Sequence, residues 1–137
     1  MKKISMNSNR ELISPSTLHP TPGYSHIALA KGTRLAFIAG QVALDQKFSV
    51  ISENDLSGQT EAAMRNLDKA LAAIGATFSD VVRRTIYTTR PTETEAITTA
   101  IESAQGSSEH PPQTIVGVTG LALPELLVEI EATVSLS

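Results

Sequence analysis

Two carboxylates, Glu129 and Glu131, stand two residues apart in the run Leu126 to Leu136, which alternates like a strand. On a strand Leu126, Val128, Ile130, Ala132 and Val134 face one way, and Leu127, Glu129, Glu131, Thr133 and Ser135 the other. The carboxylates then share a face with Cα atoms about 6.6 Å apart, close enough to feel each other in different surroundings. Such an arrangement can be useful or merely solvated, and solvated carboxylates on an outer sheet face are the commoner case. His19, His26 and His110 lack the close spacing of a metal site and no cysteine supplements them, so no metal is expected. Ser14, Ser16 and Ser25 lie outside any nucleophile-elbow motif, which leaves acyl-enzyme chemistry unsupported.

The elements that must position these groups come from one domain-sized chain. Its 137 residues suffice for one core, and 41% apolar residues give a globular balance. Eleven basic and 14 acidic residues leave a net charge of −3 with no Lys/Arg cluster, so no nucleic-acid partner is expected. The absence of cysteine excludes disulfides and a thiol nucleophile. Lys2 and Lys3 are followed by mostly polar residues rather than an apolar signal-peptide core, and the longest apolar run, Leu35 to Ala39, is strand-sized. No membrane association and a cytoplasmic location are expected.

Residues 1–22 are rich in Ser, Thr, Pro and Asn, and Pro15, Pro20 and Pro22 predict an extended arm before a single domain over 23–137. Tyr24 to Ala30 and Arg34 to Ala39 read as strands whose Lys31-Gly32-Thr33 connector suits a hairpin. From Asp55 to Ile74 an apolar stripe predicts a helix, capped by Asp55 or Ser57 and ended by Gly75. Val81 to Thr89 reads as a strand, Glu93 to Gln105 as a helix stopped by Gly106, and Thr114 to Val118 and Leu126 to Leu136 as strands. The order ββαβαββ predicts an α+β fold with both helices on one face of a mixed or antiparallel sheet.

Pro22-Gly23-Tyr24-Ser25, Ala39-Gly40-Gln41-Val42-Ala43-Leu44-Asp45, Gln59-Thr60, Asn66-Leu67, Gly75-Ala76 and Asp80-Val81-Val82 occur in a fixed order. His110-Pro111-Pro112 and Val128-Glu129-Ile130-Glu131-Ala132 complete the set. Together these motifs resemble the RidA (YjgF, endoribonuclease L-PSP-like) family from about Gly23 to Val134. The resemblance implies a chorismate-mutase-like fold, a homotrimer whose sheets form a central barrel, and a small-molecule cleft at each subunit interface. Leu35 to Ala39, apolar on both faces, agrees with such burial.

The resemblance also implies a hydrolase that converts enamines and imines to 2-oxo acids and ammonia without a cofactor. A strand glutamate, here Glu129, would position the water. Tyr24, Gly40, Gln113, Thr114 and Ile115 would bind substrate, Gly40 by letting backbone approach the ligand. Glu131 keeps a surface or inter-subunit role. The family's carboxylate-binding arginine maps onto Gln113 in Pro111-Pro112-Gln113-Thr114. Losing such a charged partner costs about 2–5 kcal/mol, which points to an atypical carbonyl or imine ligand. Arg83 or Arg84 would reach the cleft only from another angle. The competing reading is a non-catalytic metabolite-binding trimer; endoribonuclease activity, also attached to the family, conflicts with the acidic charge balance.

Overall fold

The computed structural model describes residues 8–137. Six strands and two helices follow in the order β1 (Arg10–Ile13), β2 (Ile27–Ala30), β3 (Arg34–Gln41), α1 (Leu56–Ala73), β4 (Val81–Thr88), α2 (Thr94–Gln105), β5 (Gln113–Gly117) and β6 (Val128–Leu136). A four-stranded sheet has the order β3-β6-β4-β5, and β1 and β2 form a separate two-stranded sheet. In the larger sheet β3 and β4 flank β6 antiparallel, while β4 and β5 run parallel across the α2 crossover. The α+β class with a mixed sheet is therefore as the sequence indicates.

Two expectations change. Arg10–Ile13 forms a strand inside the stretch read as an irregular arm, pairing antiparallel with β2 from Arg10↔Ala30 to Ile13↔Ile27. Arg10 anchors it: the guanidinium is buried and donates to the carbonyls of Phe78 at 3.1 Å and Val81 at 2.6 Å. The hairpin between the second and third strands is also absent, because β2 pairs with β1 and β3 with β6. The connector is held by β6 instead: Gly32 N–H donates to Ser135 Oγ at 2.9 Å and Thr33 N–H to the Leu136 carbonyl at 2.7 Å.

The core lies between the helices and one sheet face. Met64, Leu67 and Leu71 of α1 and Ile97 and Ile101 of α2 pack with Ile86, Val128, Ile130 and Val134 of the sheet, all fully buried. Each such side chain contributes about 1.5–3 kcal/mol by leaving water. Asp55 caps α1, accepting from Gly58 N–H at 3.0 Å. Both helices close on glycines in the left-handed region, Gly75 (φ 73) and Gly106 (φ 71), where a Cβ would strain the backbone. The motif residues Gln59 and Asn66 prove to be loop anchors. Gln59 is fully buried, donating to Glu125 O and accepting from Leu127 N–H, and Asn66 donates to the carbonyls of Val42 and Leu44. They fix the loop that leaves β3 and the loop that enters β6.

Candidate functional site

β5 is one edge strand of the four-stranded sheet, and α2 runs beside it. An open groove of ≈ 860 Å³ lies between them, walled by Gln113, Thr114 and Ile115 on one side and by Thr94, Glu95, Thr98 and Glu102 on the other. Pro22, Gly23 and Tyr24 close one end. Ser25 holds that end in place, its hydroxyl donating to His110 O at 2.6 Å and its N–H to Pro111 O at 3.2 Å. Four residues singled out from the sequence, Tyr24, Gln113, Thr114 and Ile115, thus share one concavity. The Tyr24 hydroxyl lies 3.3 Å from His19 Nδ1, and its ring meets that of His26 edge-on at 5.8 Å.

A buried relay runs behind the groove. Arg84 of β4 faces the helices, 2% exposed, and its Nε–H donates to Gln113 Oε1 at 2.6 Å. A second guanidinium nitrogen lies 2.8 Å from His110 Nδ1, and His110 Nε2 lies 2.6 Å from Glu102 Oε2. Arginine only donates. His110 Nδ1 must therefore accept, which places the ring proton on Nε2, donating to Glu102. Burial first, then the charge of Arg10, pushes the Arg84 guanidinium down to about 9, so it stays protonated at neutral pH. His110 is lowered, by burial first and with Arg84 adding to the effect, while the hydrogen bond to Glu102 opposes it.

Glu129 and Gly40 sit elsewhere. Along β6 the core-facing Val128, Ile130, Ala132 and Val134 are buried, and Glu129 and Glu131 project from the open face, as the alternation requires. Glu129 stands opposite Tyr87 of β4, and Glu131 opposite Thr85. The Tyr87 phenol is pushed up, by loss of solvent first and then by the charge and hydrogen bond of Glu131 and the charge of Glu129. The register of β3 against β6 shifts between Ile38 and Gln41, and this irregularity brings Gly40 onto the Glu129 side chain. A Cβ at Gly40 would come within 2.6 Å of Glu129 Cγ and Cδ. Gly40 is needed here because the carboxylate occupies the space of a side chain.

Within one chain Glu129 and Gly40 do not line the groove. Thr114 connects the two regions, since it borders the groove and lies in the row Thr114, Thr85, Glu131 on the open face. It also accepts from Arg83 at 2.9 Å. Among the described residues no three His, Asp or Glu side chains gather as metal ligands, and no helix is long and apolar enough to cross a membrane.

The family model described as endoribonuclease L-PSP matches residues 15–136. This chain belongs to that family. It is a RidA/YjgF-type protein, as the ordered motifs indicate. It is 33% identical over 100 residues to the RutC family protein YjgH of Escherichia coli, covering 72% of this chain and 75% of that one. A RutC family protein of Pyrococcus horikoshii is 29% identical over 113 residues, 82% of this chain and 88% of its own. Among solved structures, the Rid family protein YyfB of Yersinia pestis superposes with a TM-score of 0.88 at 38% identity, covering 93% of this chain and 99% of that one.

Glu102 at the groove of this Rid-family chain, His110 behind it and Tyr87 on the open face are not marked by the sequence alone, and Arg84 reads there as reaching the cleft only from another angle. A signal for Arg84 existed: in Val82, Arg84, Ile86 and Thr88 the period of two places it on the same face as Ile86.

Proposed function

We propose that this Rid-family protein binds a small carbonyl, enamine or imine compound in clefts between subunits of a homotrimer and hydrolyses the C=N bond of imines, including those that enamines form on tautomerising. Water held by Glu129 adds to the imine carbon, the carbon keeps the oxygen as a carbonyl, and nitrogen departs as ammonia. The observation that carries the reading is the Glu129 carboxylate seated on Gly40. Among the described residues no hydrogen bond or ion pair occupies it, so its oxygens are available to a water. Assembly draws support from the open sheet face, where Phe37 is 76% exposed beside Leu35 on one edge strand and Val116 is exposed on the other. A second chain packed there would cover these apolar groups and set Glu129 of one subunit near the groove of another. The neutral Gln113 supports an atypical substrate.

Ammonia release timed for 2-iminobutanoate generated in situ, and for an uncharged imine of the same size, tests this. Turnover above buffer that disappears in Glu129→Gln supports hydrolysis. Absence of turnover on both compounds, or turnover indifferent to Glu129→Gln, removes it and leaves the non-catalytic binding trimer.

A further inference from the structure

Gln113 is half-buried at the groove wall, and its amide has only one orientation compatible with its neighbour. The Arg84 Nε–H can only donate, so the atom 2.6 Å from it must be the Gln113 oxygen. The Gln113 NH2 group is then left over, and among the described residues no hydrogen bond uses it. Two donor hydrogens on a residue lining the groove are thereby held in a fixed direction. The buried cation also draws electron density toward the amide oxygen, which strengthens the N–H donors on the other side.

The charges of the groove decide what those donors receive. Glu95 and Glu102 are the charged residues among its lining, and neither Lys nor Arg contributes to it. Arg84 does not supply the missing cation, being 2% exposed with its donors directed to Gln113, His110 and Gln105. A ligand carboxylate would meet two acidic residues and a neutral amide. An uncharged carbonyl oxygen meets no net repulsion and pairs with the same amide.

We propose that the groove selects ligands presenting an uncharged carbonyl oxygen to the Gln113 amide, and that Arg84 is the positioning residue that aims this amide from behind. The inference rests on the groove being the ligand site proposed above. It narrows the substrate class to imines or enamines that carry an amide or other neutral carbonyl group in place of a carboxylate.

The test compares 2-oxobutanamide with 2-oxobutanoate, which share a skeleton and differ in charge, titrated into the 15N-labelled full chain. The Gln113 side-chain NH2 resonances are identified by their loss in Gln113→Glu. The amide is expected to move these resonances and the Ile115 amide, with the carboxylate binding about tenfold or more weakly. Gln113→Glu keeps a partner for Arg84 but loses the donors, and it should weaken the amide by about tenfold or more while Ile86 and Ile97 methyl shifts stay in place. Arg84→Lys keeps the charge and removes the Nε–H; if it folds, the Gln113 resonances should move toward those of an unstructured glutamine and the preference for the amide should shrink. Equal or tighter binding of the carboxylate, or an amide affinity indifferent to Gln113→Glu, overturns the inference and leaves the groove as a ligand site. If neither compound shifts Tyr24, Thr98 or Ile115, the groove reading itself falls and takes the inference with it.

Discussion

Replacing Gly40 by alanine puts one methyl group where the Glu129 side chain already lies. The new Cβ would sit 2.6 Å from Glu129 Cγ and Cδ, whereas carbon atoms rest about 3.5–4.0 Å apart. The shortfall is about 1 Å, and the side chain can yield by leaving its rotamer at about 0.5–1.5 kcal/mol. Stability should therefore fall modestly. With Glu129 in its proposed role, turnover should fall much further, because moving a catalytic group by about 1 Å costs about 10²-fold. Ammonia release measures the second effect and urea melts at fixed protein concentration the first. A substrate-independent check is the double variant. Glu129→Ala deletes the Cγ and Cδ atoms that Gly40→Ala collides with, so the alanine at 40 should cost nothing measurable in that background. The reasoning fails if Gly40→Ala costs the same stability with and without the Glu129 side chain, or if Gly40→Ala retains turnover within about threefold of wild type.

Three further outcomes are expected. Leu67→Ala, at a fully buried position on α1, should cost about 2–5 kcal/mol in urea unfolding, and a cost under about 1 kcal/mol would contradict the described core. Because folding lowers the His110 pKa below its ordinary 6.5, chiefly by burial, the unfolded chain binds this proton more readily. The stability from neutral His110 is whole above about pH 6.5 and is lost as pH falls from there through the folded value, so urea midpoints between about pH 7.5 and 5.5 should decline in wild type and less steeply in His110→Asn. Phe37→Glu on the open sheet face should shift the mass measured by light scattering to that of a single chain, and an unchanged multimeric mass would refute an interface there.

Periodic patterns made much of the fold legible. The stripe from Leu56 to Leu71 and the alternation from Val128 to Val134 reflect burial on one face, which a linear sequence displays directly. Strand partnership is not displayed in this way. Lys31-Gly32-Thr33 has the length of a hairpin turn, yet the backbone donors of Gly32 and Thr33 go to Ser135 and Leu136, a hundred residues away in sequence and invisible to local reasoning. Arg10-Glu11-Leu12-Ile13 is too short to show a period against its Pro- and Ser-rich surroundings, and the long-range bonds from Arg10 to Phe78 and Val81 tie it down. The groove residues Tyr24, Gln113, Thr114 and Ile115 followed from motif position. The role of Arg84 did not, because a strand arginine reads as a surface group until its neighbours Gln113 and His110 are known.

The contact between Arg84 and Gln113 makes the two positions interdependent in substitution. Installing arginine at 113 by itself would set a second guanidinium against a buried one, with Arg10 also near enough to lower the Arg84 pKa. Two like charges about 4 Å apart cost about 4 kcal/mol at a semi-exposed site. A neutral residue at 84 first opens the way, whereas the reverse order passes through a destabilised intermediate. The cationic and neutral forms of this cleft are thus separated by an ordered pair of changes, so the residue at 84 decides which residues 113 can accept.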